Sequence, residues 1–144
     1  MKDRTIDILL VEDNPGDVSL TLEILRASAK PCRVEVVGDG EEALSFLRRE
    51  GIHERAPRPQ LVLLDLKLPG KQGHEVLAEM KADDLLVGIP VVIFSGSRDH
   101  ADILKAYRLR ANCYVPKPAG LEALREALRG LEGFWLETAS LPVK

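Results

Sequence analysis

Short apolar runs alternate along the chain with stretches of helical periodicity. The runs are rich in leucine and β-branched side chains, which predicts five strands at residues 6–11, 34–37, 61–64, 90–94 and 113–115. Between the runs, apolar residues recur at spacings of three and four, which predicts five helices. Representative apolar positions are Val18, Leu22 and Leu25; Ala43, Leu44 and Leu47; Val76, Leu77 and Met80; Ile103, Leu104 and Tyr107; and Leu121, Leu124, Leu128 and Leu131.

Strict alternation of strands and helices is typical of an α/β fold with a parallel sheet and helices on both of its faces. The unbroken apolar run at residues 61–64 fits a strand that is covered on both sides. Helix starts are signalled by Asn14 before Pro15, by Asp39 with Glu42 three residues later, and by the polar stretch at residues 97–102.

Composition narrows the class of protein. The 144 residues suit one domain, and 45% hydrophobic with 30% charged residues is ordinary globular composition. No apolar run is long enough for a membrane span or a signal segment, so we expect a cytoplasmic protein without a membrane partner. Cys32 and Cys113 are too few for a disulfide framework or a zinc site. A net charge of −3 gives no reason to expect nucleic-acid binding.

Polar residues follow four of the predicted strands. Glu12 and Asp13 follow the first strand, Asp65 the third, Ser95 the fourth and Lys117 the fifth. Because ligands of open α/β sheets bind beyond the carboxyl ends of the strands, we expect these side chains to converge on one crevice. Crowded carboxylates repel one another and favour a hard divalent cation with oxygen ligands, and we expect Mg²⁺. With a lysine and a hydroxyl nearby, such a site would stabilise a phosphoryl group.

Each of these residues also has a plainer interpretation when taken alone. An acidic pair at a strand end is most often a solvated edge, and an aspartate after an apolar strand is often a helix cap. A lysine before a proline is more often a loop residue than a ligand. The prediction therefore depends on the joint spacing of the five residues along one sheet edge.

Four sequence motifs together resemble the receiver domain of two-component response regulators. They are Leu-Leu-Val-Glu-Asp-Asn at 9–14, Leu-Val-Leu-Leu-Asp-Leu-Lys-Leu-Pro-Gly at 61–70 followed by Gly73, Val-Ile-Phe-Ser-Gly at 92–96, and Tyr-Val-Pro-Lys-Pro at 114–118. The resemblance extends from about residue 6 to residue 131. It implies a flavodoxin-like, doubly wound five-stranded parallel sheet with strand order 2-1-3-4-5 and five helices.

The resemblance also implies roles for individual residues. Asp65 corresponds to the aspartate that accepts a phosphoryl group from a sensor histidine kinase. Asp13 and Asp65 would bind Mg²⁺ directly, together with the backbone carbonyl of Lys67, and Glu12 would hold it through water. Lys117 would pair with a phosphoryl oxygen. The protein would catalyse its own phosphotransfer and autodephosphorylation and would not be an enzyme acting on a separate substrate.

Further residues match the switch of this family. Ser95 corresponds to the hydroxyl that moves to the phosphoryl oxygen, and Tyr114 to the aromatic side chain that then turns inward. The backbone amides of Lys67 and Gly96 would donate to the phosphoryl group. The bond from Lys117 to Pro118 matches a peptide bond that is usually cis in the family.

Within the family, Asn-Pro-Gly-Asp at 14–17 and the segment 107–114 resemble single-domain regulators that partner phytochrome-type kinases. We therefore expect a receiver domain at 1–133 and a C-terminal extension at 134–144, without an output domain. The output would be contact with an unknown downstream protein, or the chain would be a phosphate sink for a kinase.

Two other functions compete with this one. An α/β phosphatase or phosphotransferase with an aspartyl nucleophile usually has a second acid two residues later, where this chain has Lys67. A degenerate receiver that acts only as a scaffold would not need Glu12, Asp13, Asp65, Ser95 and Lys117 together.

An assembly is also predicted. A receiver without an output domain needs a recognition surface, and we expect a two-fold homodimer through the fourth helix, fifth strand and fifth helix. The candidate interface residues are Ile103, Tyr107, Tyr114, Phe134 and Trp135. The aromatic tail is expected to dock on a neighbour, the alternative being that it folds back on its own domain.

Overall fold

The computed structural model describes residues 5–142 and contains one five-stranded sheet. The strands are β1 (Ile6–Val11), β2 (Cys32–Val37), β3 (Leu61–Leu64), β4 (Val91–Ser95) and β5 (Cys113–Pro116). All neighbouring strands are parallel, in the order β2-β1-β3-β4-β5, which confirms the predicted fold class. Both predicted segments, 1–133 and 134–144, include a few terminal residues that lie outside the described range.

Five α-helices connect and follow the strands. They are α1 (Pro15–Arg26), α2 (Gly40–Leu47), α3 (Gly73–Ala82), α4 (His100–Arg108) and α5 (Leu121–Glu132). A 3₁₀ turn at Gly51–His53 follows α2, and a π-helical segment at Gly133–Thr138 continues α5. No helix in residues 5–142 is both long and apolar enough to cross a bilayer.

Side-chain caps fix the starts of three helices. The Asn14 side chain accepts a hydrogen bond from the Asp17 N–H at 3.0 Å, and Asp39 accepts one from Glu42 at 2.7 Å. At α4 the capping residue is Asp99, which accepts from Ala101 at 3.0 Å. These bonds satisfy N–H groups that have no partner within the helix, and the first of them fixes α1 beside the end of β1.

Side chains alternate between two cores, one on each face of the sheet. Leu9 and Val11 of β1 join the core beneath α2, α3 and α4, whereas Ile8 and Leu10 join the core beneath α1 and α5. The same alternation along β3 explains why its four apolar residues are all buried. The central strands β1, β3 and β4 are therefore buried up to their ends, where the polar residues of the site begin.

The buried faces of two helices differ in detail from their apolar spacing. In α1 the fully buried residues are Leu20, Thr21, Ile24 and Leu25, whereas Val18 and Leu22 are half-buried. In α4 the only fully buried residue is Ala106. Leu104 lies about 200° around the helix from Ala106, so it faces solvent. The small alanine lets α4 pack closely on the sheet, and the larger side chains lie at the margin.

The C-terminal segment folds back on its own domain. Leu136 is only 1% exposed, and Trp135 and Leu141 pack against the core beneath α1 and α5. The Gln60 side chain donates to the carbonyl of Pro142 at 3.0 Å. Most of this segment therefore packs on its own domain, which was the alternative to docking on a neighbour, and Phe134, which is 52% exposed, is the ring left available to a partner.

Candidate functional site

The five polar residues singled out at the strand ends lie at one edge of the sheet. Glu12 and Asp13 follow β1, Asp65 follows β3, Ser95 ends β4 and Lys117 follows β5. Carboxylate oxygens of Glu12, Asp13 and Asp65 lie within 4.8 Å of one another. Glu12 and Asp65 are buried and Asp13 is exposed, so the cluster opens to solvent on one side.

Lys117 is the cation of this cluster. Its ammonium lies 2.6 Å from Glu12 Oε1, 2.8 Å from Asp17 Oδ2 and 3.0 Å from Asp65 Oδ2. The ammonium also lies 5.7 Å from the centre of the Phe94 ring, on the face of the site formed by β4. The lysine thus compensates the negative charge of three elements at once.

Asp17 is a member of this cluster that the strand-end pattern did not reveal. It lies in the first turn of α1, where an acidic residue is common because it interacts favourably with the helix dipole. The spacing in Asn-Pro-Gly-Asp was the available signal, because an Asn14 cap places Asp17 in the helical turn closest to the end of β1. Its contact with Lys117 spans 100 positions and cannot be obtained from local sequence.

Burial and charge shift two pKa values in the cluster. Burial raises the pKa of Glu12 to about 7, although the hydrogen bond from Lys117 opposes this shift. Burial lowers the pKa of Lys117, but its hydrogen bonds to Asp17 and Glu12 and the charge of Asp65 outweigh burial and raise it above its ordinary value. The lysine is therefore a permanent cation beside Glu12, a carboxylate that burial makes costly to keep charged.

The carboxylate of Asp65 is held by its own loop. Its Oδ1 accepts hydrogen bonds from the backbone N–H groups of Leu66, at 2.7 Å, and Lys67, at 3.4 Å. Gly73 packs directly against this loop and donates its N–H to the Leu66 carbonyl at 2.9 Å. The side chain of Lys67 is exposed, so only its backbone takes part in these contacts.

Ser95 and Tyr114 lie on neighbouring strands beside the cluster. Ser95 is buried, and its hydroxyl accepts a hydrogen bond from the Ser97 N–H at 3.4 Å. The Tyr114 hydroxyl donates to the Ser97 carbonyl at 2.8 Å, so this ring is already inside the protein. Burial raises the pKa of Tyr114, so the hydroxyl remains a donor. Gly96 lies exposed between the two serines.

One expectation about this edge is wrong. The peptide bond from Lys117 to Pro118 is trans, as are all peptide bonds in the described part of the chain. The Lys117 ammonium nevertheless reaches the cluster, because its backbone N–H is fixed to the Ser95 carbonyl at 2.7 Å.

The residues predicted for an interface differ in how exposed they are, and Tyr114 is the one that lies beside the cluster. Ile103 is half-buried against the core, Tyr107 is half-exposed on α4, and Tyr114 is buried. Phe134 and Trp135 contact each other edge to face, with ring centres 5.2 Å apart. Tyr107 and Phe134 therefore offer the exposed aromatic surface of this set.

Comparison with known proteins identifies relatives over almost the whole chain. Residues 8–129 match the family model described as response regulator receiver domain. The response regulator Rcp1 of Synechocystis is 44% identical over 135 residues, which are 94% of this chain and 92% of Rcp1.

Two solved structures are similar in fold and in sequence. The Mn²⁺-bound form of Rcp1 has a TM-score of 0.94 and 43% identity, covering 96% of this chain and 99% of that one. The phosphorylated cyanobacterial phytochrome response regulator RcpA has a TM-score of 0.94 and 48% identity, and the match covers 97% of this chain and 100% of RcpA.

Proposed function

The chain belongs to the response regulator receiver domain family, and we propose that it accepts a phosphoryl group on Asp65 from a sensor histidine kinase. The observation that carries this proposal is the position of Asp65: one carboxylate oxygen is held by backbone N–H groups and the other lies 3.0 Å from Lys117. An acceptor oxygen next to a fixed cation is the arrangement that phosphoryl transfer needs.

The transfer consists of one displacement at phosphorus. An Asp65 carboxylate oxygen attacks the phosphorus of a phosphohistidine, a P–O bond forms, and the P–N bond breaks. The imidazole leaves with the electron pair and takes up a proton, while Asp65 becomes an acyl phosphate. Lys117 donates to an oxygen of the transferred group and offsets its charge.

The chemistry of the carboxylates fits a divalent cation. Glu12, Asp13 and Asp65 offer oxygens within 4.8 Å of one another, and oxygen is the donor that Mg²⁺ prefers. Asp13 and Asp65 would bind the ion directly with the Lys67 carbonyl, and Glu12 would act through water. When bound, Mg²⁺ would neutralise charge on the transferring group. The existence of a Mn²⁺-bound form of the similar Rcp1 supports a divalent cation as a ligand of this chain.

Ser95 and Tyr114 are the proposed switch. Ser95 ends β4, and the Tyr114 hydroxyl bonds to the Ser97 carbonyl in the loop that follows β4. A shift of the Ser95 hydroxyl toward the phosphoryl group would move this loop and therefore change the surface at α4. The Gly96 and Lys67 amides would donate to the phosphoryl oxygens.

The similarity to RcpA, a phytochrome response regulator, favours a phytochrome-type kinase as the phosphodonor. The output is contact with another protein, and the α4, β5 and α5 face is the surface proposed for a homodimer. The alternative output, a phosphate sink, predicts no partner other than the kinase.

Phosphoryl mapping tests the acceptor. The protein is incubated with Mg²⁺ and acetyl phosphate, and the modified residue is identified by mass spectrometry after reductive trapping of the acyl phosphate. We expect modification at Asp65 alone and its loss when EDTA removes the metal.

The matched control is Asp84→Asn, which neutralises an exposed aspartate in the turn after α3. It should be labelled like the wild type, whereas Asp65→Asn should not be labelled. Stoichiometric phosphate on the Asp65→Asn variant would overturn the assignment. Labelling by a phytochrome-type kinase at the same rate as by an unrelated kinase would contradict the proposed partner.

A further inference from the structure

We propose that Asp17 is a positioning residue that gives Lys117 an ion-pair partner independent of the metal. The inference rests on the proposed function, since it concerns how Lys117 behaves when a cation binds beside Asp65. Among the three carboxylates bonded to the lysine, Glu12 and Asp65 belong to the metal cluster and Asp17 does not.

The geometry around the ammonium uses all of its donors. A lysine ammonium has three N–H groups, and the Lys117 ammonium has three carboxylate partners, all within 3.0 Å. A divalent cation held by Asp65 directly and by Glu12 through water would draw on the same two carboxylates and repel the ammonium. Asp17 then remains as the partner that keeps the lysine at the site, with a donor free for a phosphoryl oxygen.

Asp17 is itself held in place, as a positioning residue requires. Its backbone N–H donates to the Asn14 side chain at 3.0 Å, and its carbonyl accepts from the Thr21 hydroxyl at 2.7 Å. Its carboxylate is mostly buried, being 23% exposed, so the ion pair is partly shielded from solvent. An ammonium beside a helix N-terminus would otherwise meet the positive end of the helix dipole, which Asp17 offsets.

The consequence is a linkage between Asp17 and metal affinity. With Asp17 present, the lysine can leave Glu12 and Asp65 without losing every partner. With Asn at this position, a bound cation must displace a lysine that has no other carboxylate. Asp17→Asn should therefore weaken Mg²⁺ binding about fivefold, the factor that corresponds to about 1 kcal/mol of a partly buried ion pair.

A double-mutant cycle separates this mechanism from a simple loss of negative charge. Mg²⁺ affinity is measured by isothermal titration calorimetry, without phosphodonor, for the wild type, Asp17→Asn, Lys117→Met and the double variant. We expect the weakening by Asp17→Asn to disappear in the Lys117→Met background. Equal weakening in both backgrounds would overturn the inference, because Asp17 would then act on the ion directly.

The matched control is Glu23→Gln, on the same helix. It removes the same charge and breaks an ion pair with Arg125, with atoms 2.6 Å apart, but it does not touch Lys117. Its Mg²⁺ affinity should equal that of the wild type, and a fivefold loss would overturn the inference.

A second measurement follows the lysine itself. In ¹⁵N-detected spectra of ammonium groups, the Lys117 signal should persist in Mg²⁺-saturated wild-type protein and vanish through faster proton exchange with water in Asp17→Asn. A signal that vanishes on saturating the wild type would overturn the inference while leaving the metal site intact. A wild-type protein that binds no Mg²⁺ would overturn the proposed function, and the inference with it.

Discussion

The Tyr107 hydroxyl, on α4, accepts a hydrogen bond at 3.1 Å from the backbone N–H of Tyr114, on β5. β5 lies at the edge of the sheet, so this N–H has no neighbouring strand as a partner. An exposed edge strand is prone to pair with another chain. Tyr107 therefore blocks one pairing position of the edge with a side chain and ties α4 to the strand that carries Tyr114.

Replacing Tyr107 by phenylalanine should leave the Tyr114 N–H without its hydrogen-bond acceptor. The variant keeps the ring and loses the acceptor, so amide exchange at Tyr114 should become about fivefold faster, as expected for a hydrogen bond worth about 1 kcal/mol. Hydrogen exchange followed by NMR measures it. Tyr114→Phe is the control, because it removes the bond to the Ser97 carbonyl and leaves the backbone bond to Tyr107. Equal acceleration in both variants would contradict the blocking role.

Gly73 should tolerate no side chain. A methyl group built on it would lie 2.7 Å from the Leu66 Cα and closer still to the Asp65 carbonyl oxygen. Gly73→Ala must therefore displace α3 or the loop that holds the acceptor. We expect a loss of about 1–3 kcal/mol in the free energy of unfolding, as for overpacked cores. Phosphorylation by acetyl phosphate should also become slower.

Gly88→Ala is the control for this prediction. A methyl group on Gly88 meets no atom within 4 Å, so denaturant unfolding should differ from the wild type by less than about 0.5 kcal/mol. If Gly73→Ala is as stable as Gly88→Ala and is phosphorylated at the wild-type rate, the packing argument is wrong.

Lys67 should slow the hydrolysis of the acyl phosphate. Its side chain is exposed two residues after Asp65, where a long chain can cover the phosphoryl group against an attacking water. Truncation in Lys67→Ala should therefore shorten the lifetime of the phosphorylated protein, measured as loss of label after the phosphodonor is removed. Lys105→Ala removes the same charge from the exposed surface of α4 and should leave the lifetime unchanged. An unchanged rate in Lys67→Ala would exclude shielding.

The sequence predicts most of the cluster around Asp65, because parallel strands bring their carboxyl ends to the same edge of the sheet. Glu12, Asp65 and Ser95 follow apolar runs directly, so a parallel sheet places all three at the same edge. The strand order came from the family resemblance, since periodicity does not specify which strands are neighbours. Asp17 was missed because its role depends on a tertiary contact between the first turn of α1 and Lys117.

The same limit explains the helix faces and the tail. Apolar spacing places Leu104 and Tyr107 on one side of α4, but close packing through Ala106 decides which side is buried. In the tail, the apolar residues after Gly133 suit either a neighbour or the domain itself. Burial of Leu136 and the bond from Gln60 to Pro142 favour the domain, and neither can be seen in a local pattern.

The two faces of the tail allow the predicted homodimer to be tested without unfolding the domain. Phe134 is half-exposed and Leu136 is buried, so the two side chains separate partner contact from stability. We expect the wild type to show the mass of a dimer by light scattering at micromolar concentration. Phe134→Ala should shift the mass toward that of the monomer and change the free energy of unfolding little. Leu136→Ala should lower the free energy of unfolding by about 2–5 kcal/mol, the range for a buried leucine.

Deleting the tail would confound the two effects, because it would also remove Leu136 from the core. A wild-type protein with a monomer mass would contradict the dimer, and a dimer unaffected by Phe134→Ala would place its interface away from the tail, on the α4 and β5 surface that carries Tyr107.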